Sequence, residues 1–268
     1  MAKIFRIVKS LIPPILLELI QKYRNNKYGW HRDYKSWQEA KDASMGYDAD
    51  AIARKVNTSL QKVKNGTAVY ERDSVLFDEI QYSWPLLAGL MYAAAKSQGA
   101  LHVIDFGGSL GSTYFQNKKF LDGLKEVSWS ILEQKHFVKI GKKEFEDERL
   151  KFFDDIKSCF IMDRPTILVL SSVLQYIEKP YVLLEELLQF DFEFIVIDRT
   201  PFACQERLTV QKVPPSIYEA SYPCWFFEEK QFLSAFLHRY HVVESFDGLD
   251  GKTELCAFRG MILERNND

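Results

Sequence analysis

Leu101-His-Val-Ile-Asp-Phe-Gly-Gly-Ser-Leu-Gly111 is an apolar run that ends in an acid and breaks at once into small residues. The stretch Leu101 to Ile104 suits a buried parallel strand, and the glycines at 107, 108 and 111 let the chain turn sharply and approach a ligand closely. A dinucleotide-binding turn asks for Gly-x-Gly-x-x-Gly, the second glycine making room for a pyrophosphate and the third letting helix and strand pack closely. Counted from Gly107, those two places hold Ser109 and Ser112. Both departures argue against a dehydrogenase, and no Gly-x-x-x-x-Gly-Lys-Ser/Thr loop occurs in the chain. A small uncharged ligand fits such a turn better.

A second anchor is expected about 20 residues on, where an acid at the end of the next strand can accept from both hydroxyls of a ribose. Glu133 stands there. It closes Val127-Ser-Trp-Ser-Ile-Leu132, whose aromatic and β-branched residues read as a strand after a helix carrying Phe115, Phe120 and Leu124. The alternative for Glu133 is a solvated strand-end carboxylate. The acid, one residue, then spaced glycines of 105–111 resemble the first motif of class I S-adenosylmethionine-dependent methyltransferases, with Ser109 in place of the central glycine.

The same alternation continues along the chain. Leu150-Lys-Phe-Phe reads as a short strand ending at Asp154 and Asp155, Thr166 to Leu170 as a central strand followed by Ser171-Ser172, and Tyr181 to Leu188 as a helix. Phe192 to Ile197 reads as a fifth strand, ending at Asp198-Arg199-Thr200-Pro201. Two C-terminal strands, Tyr240 to Phe246 and Cys256 to Leu263, can pair through a turn at Asp247-Gly-Leu-Asp-Gly251. Ahead of the first strand, the spacing of Ile52, Val56, Leu60 and Val63 predicts a helix over 47–66 stopped by Asn65-Gly66, and another runs through Pro85 to Lys96. Between them Tyr70-Glu-Arg-Asp73 precedes an apolar stretch: Asp73 or Ser74 caps a following helix, or the segment is a lid over the ligand mouth with Arg72 facing an anion.

A chain of 268 residues with 47% hydrophobic side chains can bury a full core. The net charge of −2 provides no basic field for nucleic acid. Cys159, Cys204, Cys224 and Cys256 form no Cys-x-x-Cys pair, which points to reduced thiols in a cytoplasmic protein and not to a disulfide frame or a metal site. Met1 to Tyr23 mixes Lys3, Arg6, Lys9 and Lys22 with apolar residues and is cut by Pro13-Pro14, too short to span a bilayer. It has the composition to lie on the inner face of an anionic membrane, and equally to pack on the main domain or a second subunit.

A narrower resemblance rests on Gly29-Trp30, Asp33-Tyr34, Ser36-Trp37, Gly46-Tyr47-Asp48, Tyr70-Glu-Arg-Asp73, Asp105 to Gln116, Ser172-Val-Leu-Gln-Tyr-Ile177, Gln211-Lys-Val-Pro and Ser221-Tyr-Pro-Cys-Trp-Phe-Phe. Together they resemble a methyltransferase family found in bacterial surface-polysaccharide and O-antigen gene clusters. The resemblance implies an α/β, Rossmann-like class I methyltransferase fold: a central, mostly parallel seven-stranded sheet with helices on both faces, residues 98–268, preceded by an N-terminal helical extension or lid, residues 1–97. It implies S-adenosylmethionine as cofactor, held by Asp105, Gly107, Gly108, Ser109, Gly111, Glu133, Asp154 and Ser171, with Asp154 facing the adenine amine unless it is simply a solvated loop acid. The implied acceptor is a small-molecule or lipid-linked glycan. A sugar hydroxyl needs a positioned base. The candidates beyond the strand ends are Asp198 as base, Arg199 for an acceptor phosphate or carboxylate, and Tyr222; the alternative for Asp198 and Arg199 is a salt-bridged strand end. A noncatalytic scaffold and another nucleotide-using α/β enzyme are the competing readings.

Overall fold

The computed structural model describes residues 27–46, 49–162 and 164–266. The basic N-terminal segment, with its proposed membrane contact, lies outside them. Five strands run parallel in the order β6 (Leu150–Phe153), β5 (Glu126–Leu132), β4 (Ala100–Phe106), β7 (Ile167–Ser171) and β8 (Phe194–Ala203). On β8 the antiparallel β12 (Ala257–Arg265) pairs, and on β12 pairs β11 (Tyr240–Lys252).

Period-two alternation sorts the strand side chains into two cores. Val103, Trp129, Ile131, Val169 and Val196 face one, and Ile104, Leu168, Leu170, Ile195 and Ile197 face the other. The first is covered by α2 (Ala49–Lys64), α3 (Trp84–Lys96), α4 (Ser112–Leu121) and α5 (Lys135–Glu144). The second is covered by α6 (Ile156–Met162), α7 (Pro180–Leu188) and α8 (Glu229–Ser234). Burial on both faces is the reason the central strands read as unbroken apolar runs.

Among the described residues the sheet has ten strands, not seven. The additional three are β1 (Gly29–His31), β9 (Arg207–Val213) and β10 (Ala220–Glu228), which continue past β8 through a short parallel contact of β10 with Phe202 and Ala203. Sequence reading missed them because Pro223 interrupts one and β1 is only three residues long, too short for a periodicity. Arg207 locks this wall by a two-pronged contact with Asp33, at 2.8 and 3.0 Å. Residues before 98 are therefore not only helical. They add an edge strand to the main sheet, and α1 (Trp37–Asp42) packs on β9 and β10.

Two further expectations are corrected. The fifth strand does not stop at Asp198 but runs on to Ala203, with Arg199 at φ 52° and a register shift opposite it in β12. The C-terminal hairpin turns at 253–256, where the Thr253 hydroxyl accepts from the amides of Leu255 and Cys256; residues 247–251 belong to β11. β12 stays paired with the extended β8 from Glu264 opposite Phe194 to Ala257 opposite Phe202, and β11 runs beside β12 over that length, which carries the turn outward.

Gly141 of α5 lies against Phe152 of β6, and a Cβ there would sit 2.3 Å from the ring. Helix propensity favours alanine by about 1 kcal/mol, but the clash falls in a fully packed core. Gly141→Ala is expected to lose about 1 to 3 kcal/mol in denaturant unfolding, the overpacking cost; a stabilised variant would show that the Phe152 contact is soft.

Candidate functional site

The strand order reverses between β4 and β7, and a crevice opens there beyond the carboxyl ends of the strands. It is a cleft of about 790 Å³, lined by Asp105, Gly107, Gly108, Ser109, Glu133, Asp154, Ser171, Asp198, Arg199 and Tyr222 among others. The structure thus brings together every candidate residue of the sequence analysis except Gly111. That glycine sits behind the turn at φ 96°, starting α4, where its side-chain position faces Leu150.

The turn is built around Asp105. Its carboxylate is buried and accepts from Trp129 Nε1 at 3.2 Å. The backbone folds directly over it: a Cβ on Gly108 would lie 2.5 Å from the Asp105 carboxyl carbon. Gly107, at φ 70°, is pressed equally close to Val173. Ser109, where a glycine is usual, adopts φ 56° nonetheless. Its amide donates to the Glu133 carboxylate, which also accepts from the Gln134 amide at 2.7 Å. A carboxylate has about four acceptor sites, so Glu133 keeps capacity for two ligand hydroxyls.

This pairing recurs. Ser74, at φ 68°, donates its amide to Glu71 at 2.6 Å, and Arg199, at φ 52°, donates its amide to Asp198 at 2.9 Å. Three left-handed residues without a glycine's freedom each serve one acid of the cleft. Such backbone costs about 1 to 3 kcal/mol per residue and concentrates at functional sites. Burial pushes Glu71, Glu133 and Asp198 above the ordinary carboxylate range despite these bonds, and lifts Asp105 to about 7.

Residues 70–77 form neither a helix cap nor a loop. β2 (Tyr70–Arg72) and β3 (Val75–Phe77) make a hairpin whose two central residues, Asp73 and Ser74, both have positive φ, as a type I′ turn requires. The hairpin is fastened across the cleft at two points. Glu71 accepts from Ser112 Oγ at 2.5 Å, and Asp73 pairs with Arg199 at 2.7 Å. Arg199 also pairs with Asp250 of β11 at 2.6 Å. Its guanidinium is thereby spent on two carboxylates of the protein, the salt-bridged alternative of the sequence analysis, and is not left for an acceptor anion.

Asp154 is exposed at the end of β6 and lines the cleft; neighbouring Asp155 instead caps α6 through the Ser158 amide and hydroxyl. Tyr222 comes from β10, facing the Tyr218 hydroxyl at 3.3 Å and the edge of Tyr176. Burial raises the Tyr222 phenol far above its ordinary value, so it stays protonated. Residues missed from sequence include Ser83, a buried hydroxyl that acts on Asp198 and lines the cleft, and Gln175, whose amide donates to Ser172 Oγ at 3.1 Å. Trp37 and Tyr218 also line the cleft. Only the aromatic richness of their segments signalled them.

No family model and no curated protein matches the chain. Among solved structures it is similar to the N-terminal domain of EvdMO1, crystallised in the presence of SAH and D-fucose, with a TM-score of 0.48 and 12% identity over 83% of this chain and 98% of that one. It is also similar to a 1,6-didemethyltoxoflavin-N1-methyltransferase of Burkholderia thailandensis with bound S-adenosylhomocysteine (TM-score 0.46, 13% identity, 89% and 100% covered). A SAM-dependent methyltransferase of Leishmania major scores 0.45 at 14% identity, over 88% and 96% of the two chains. At these scores the likenesses assign no activity to this chain, and its function is read from the cleft.

The buried acids impose a pH dependence on folding. Asp105 has an ordinary value of 3.8 and about 7 in the folded chain. The folded protein therefore holds a proton that the unfolded chain has released, and stability declines as pH climbs from 3.8 towards 7. Asp105→Asn keeps the acceptor for Trp129 and removes the titration. Its melting temperature is expected to fall less than the wild type's across that window; parallel curves would mean that Asp105 ionises normally.

Proposed function

We propose that the chain is an S-adenosylmethionine-dependent methyltransferase acting on a hydroxyl of a glycan or glycan precursor. The observation that carries this is Glu133 at the tip of β5, held by the left-handed Ser109 amide with acceptor capacity to spare, beside a glycine turn at the sheet's switch point. That arrangement suits an adenosine ribose. The acid-rich lining suits a ligand carrying a sulfonium and an ammonium, and the turn itself carries no basic side chain for a pyrophosphate. On this reading Asp154, which lines the cleft at the tip of β6, faces the adenine amine.

The cofactor, when bound, supplies an activated methyl group, so the protein's task is to position the acceptor and exclude water. The hairpin 70–77, pinned by Glu71 and Asp73, covers the cleft and does the second. An aromatic wall of Trp37, Tyr176, Tyr218 and Tyr222 does the first, with flat faces and phenol groups that suit a sugar ring. Asp198 is the base. Burial strengthens it, while the Arg199 amide fixes its orientation. As the acceptor oxygen takes the methyl group, its proton passes to the Asp198 carboxylate. Tyr222 remains protonated and orients the acceptor.

Calorimetry is expected to show binding of S-adenosylmethionine and S-adenosylhomocysteine and none of NAD; binding of NAD alone overturns the proposal. Glu133→Ala should weaken S-adenosylhomocysteine by roughly ten- to a hundredfold, the worth of charge-assisted hydrogen bonds. An unchanged dissociation constant in the folded variant removes the ribose role.

With labelled cofactor and a lipid-linked glycan extract, Asp198→Asn should slow label transfer by about 10² to 10⁴. The wild-type rate should rise with pH through a midpoint above the ordinary carboxylate range, because the base must be ionised and burial raises its pKa. Transfer that ignores both the substitution and pH would take Asp198 out of the mechanism.

A further inference from the structure

Among the described residues, eight carboxylic acids line the cleft against two guanidinium groups, Arg72 and Arg199, with no lysine or histidine. Arg199 is committed to Asp73 and Asp250. Arg72 is not: its Nη1 is buried and has no hydrogen-bond partner among the described residues. The guanidinium lies 5.5 Å from the centre of the Phe77 ring, across the same hairpin, which steadies its plane. A buried charged donor without an acceptor is costly, and such a group calls for a partner that the described residues do not supply. The surrounding protein oxygens are engaged elsewhere: Glu71 with Ser74 and Ser112, Asp73 with Arg199.

We propose that Arg72 is an anion subsite of the cleft, taking a carboxylate or phosphate oxygen of the bound molecule. A guanidinium suits either group, since its forked N–H pairs match two oxygens of one anion. Two sources share this chemistry. One is the α-carboxylate on the amino-acid tail of the cofactor, which rests on the function proposed above. The other is an acidic group on the acceptor, such as a sugar phosphate, which does not. In both cases the hairpin becomes part of the ligand's binding shell.

The test is calorimetry on the full chain, wild type against Arg72→Gln, with three probes. S-adenosylhomocysteine carries the tail carboxylate, 5′-methylthioadenosine has the same nucleoside and sulfur without it, and inorganic phosphate stands for an acceptor anion. Loss of at least about tenfold for S-adenosylhomocysteine, with 5′-methylthioadenosine unchanged, supports the tail carboxylate. Unchanged S-adenosylhomocysteine with lost phosphate binding supports the acceptor anion. If Arg72→Gln binds S-adenosylhomocysteine and phosphate as the wild type does, the subsite does not exist. Should the wild type bind neither nucleoside, the cofactor reading fails, and the phosphate arm still decides on Arg72. Melting curves check that Arg72→Gln is folded; if it is not, Arg72→Lys, which keeps the charge and loses the fork, is run through the same arms.

Discussion

Acids buried at the carboxyl edge of the sheet are the constraint on which this cleft is organised. A carboxylate taken out of water needs donors supplied at short range. Here the donors come from the backbone of residues forced into left-handed conformations: Ser109 for Glu133, Ser74 for Glu71 and Arg199 for Asp198. Each strained turn and its acid make one unit, and the units come from different segments of the chain. Strain in one place offsets desolvation in another, and neither feature is intelligible without its partner.

Arg199 shows how this organisation closes the site. Its amide serves Asp198 while its side chain spans from the hairpin's Asp73 to Asp250 of β11. One residue therefore ties the end of β8, the hairpin lid and the C-terminal hairpin together. The same bridge neutralises a cation inside an acidic cleft and leaves Arg72 as the other guanidinium of the lining, with a buried Nη1 that has no hydrogen-bond partner among the described residues. Lid position and cleft charge are thus set by one set of contacts.

The parallel core was legible because its strands are buried on both faces and so appear as apolar runs, each ending in turn-forming or acidic residues. The switch-point glycines and Glu133 were legible because chain spacing alone brings a strand, a turn and the next strand tip together. The additional wall was not. β1 and β9 are short or mixed in character, Pro223 sits inside β10, and their pairing joins residues near 30 to residues near 211. The hairpin at 70–77 read as a helix cap or lid because Asp73-Ser74 is a common cap, and only pairing of Tyr70 with Phe77 reveals the turn.

By itself, then, the chain's order of residues determined the alternating α/β core and the place of the cleft, since both follow from local periodicity and short sequence separations. Tertiary structure decided which charges remain available. Arg199 and Arg72 look alike in sequence, each next to an acid, yet Arg199 is paired with partners 126 and 51 residues away while the buried Nη1 of Arg72 has no hydrogen-bond partner among the described residues. The reason is physical: the free energy of a buried charge depends on what lies within a few ångströms of it, and folding alone sets those neighbours.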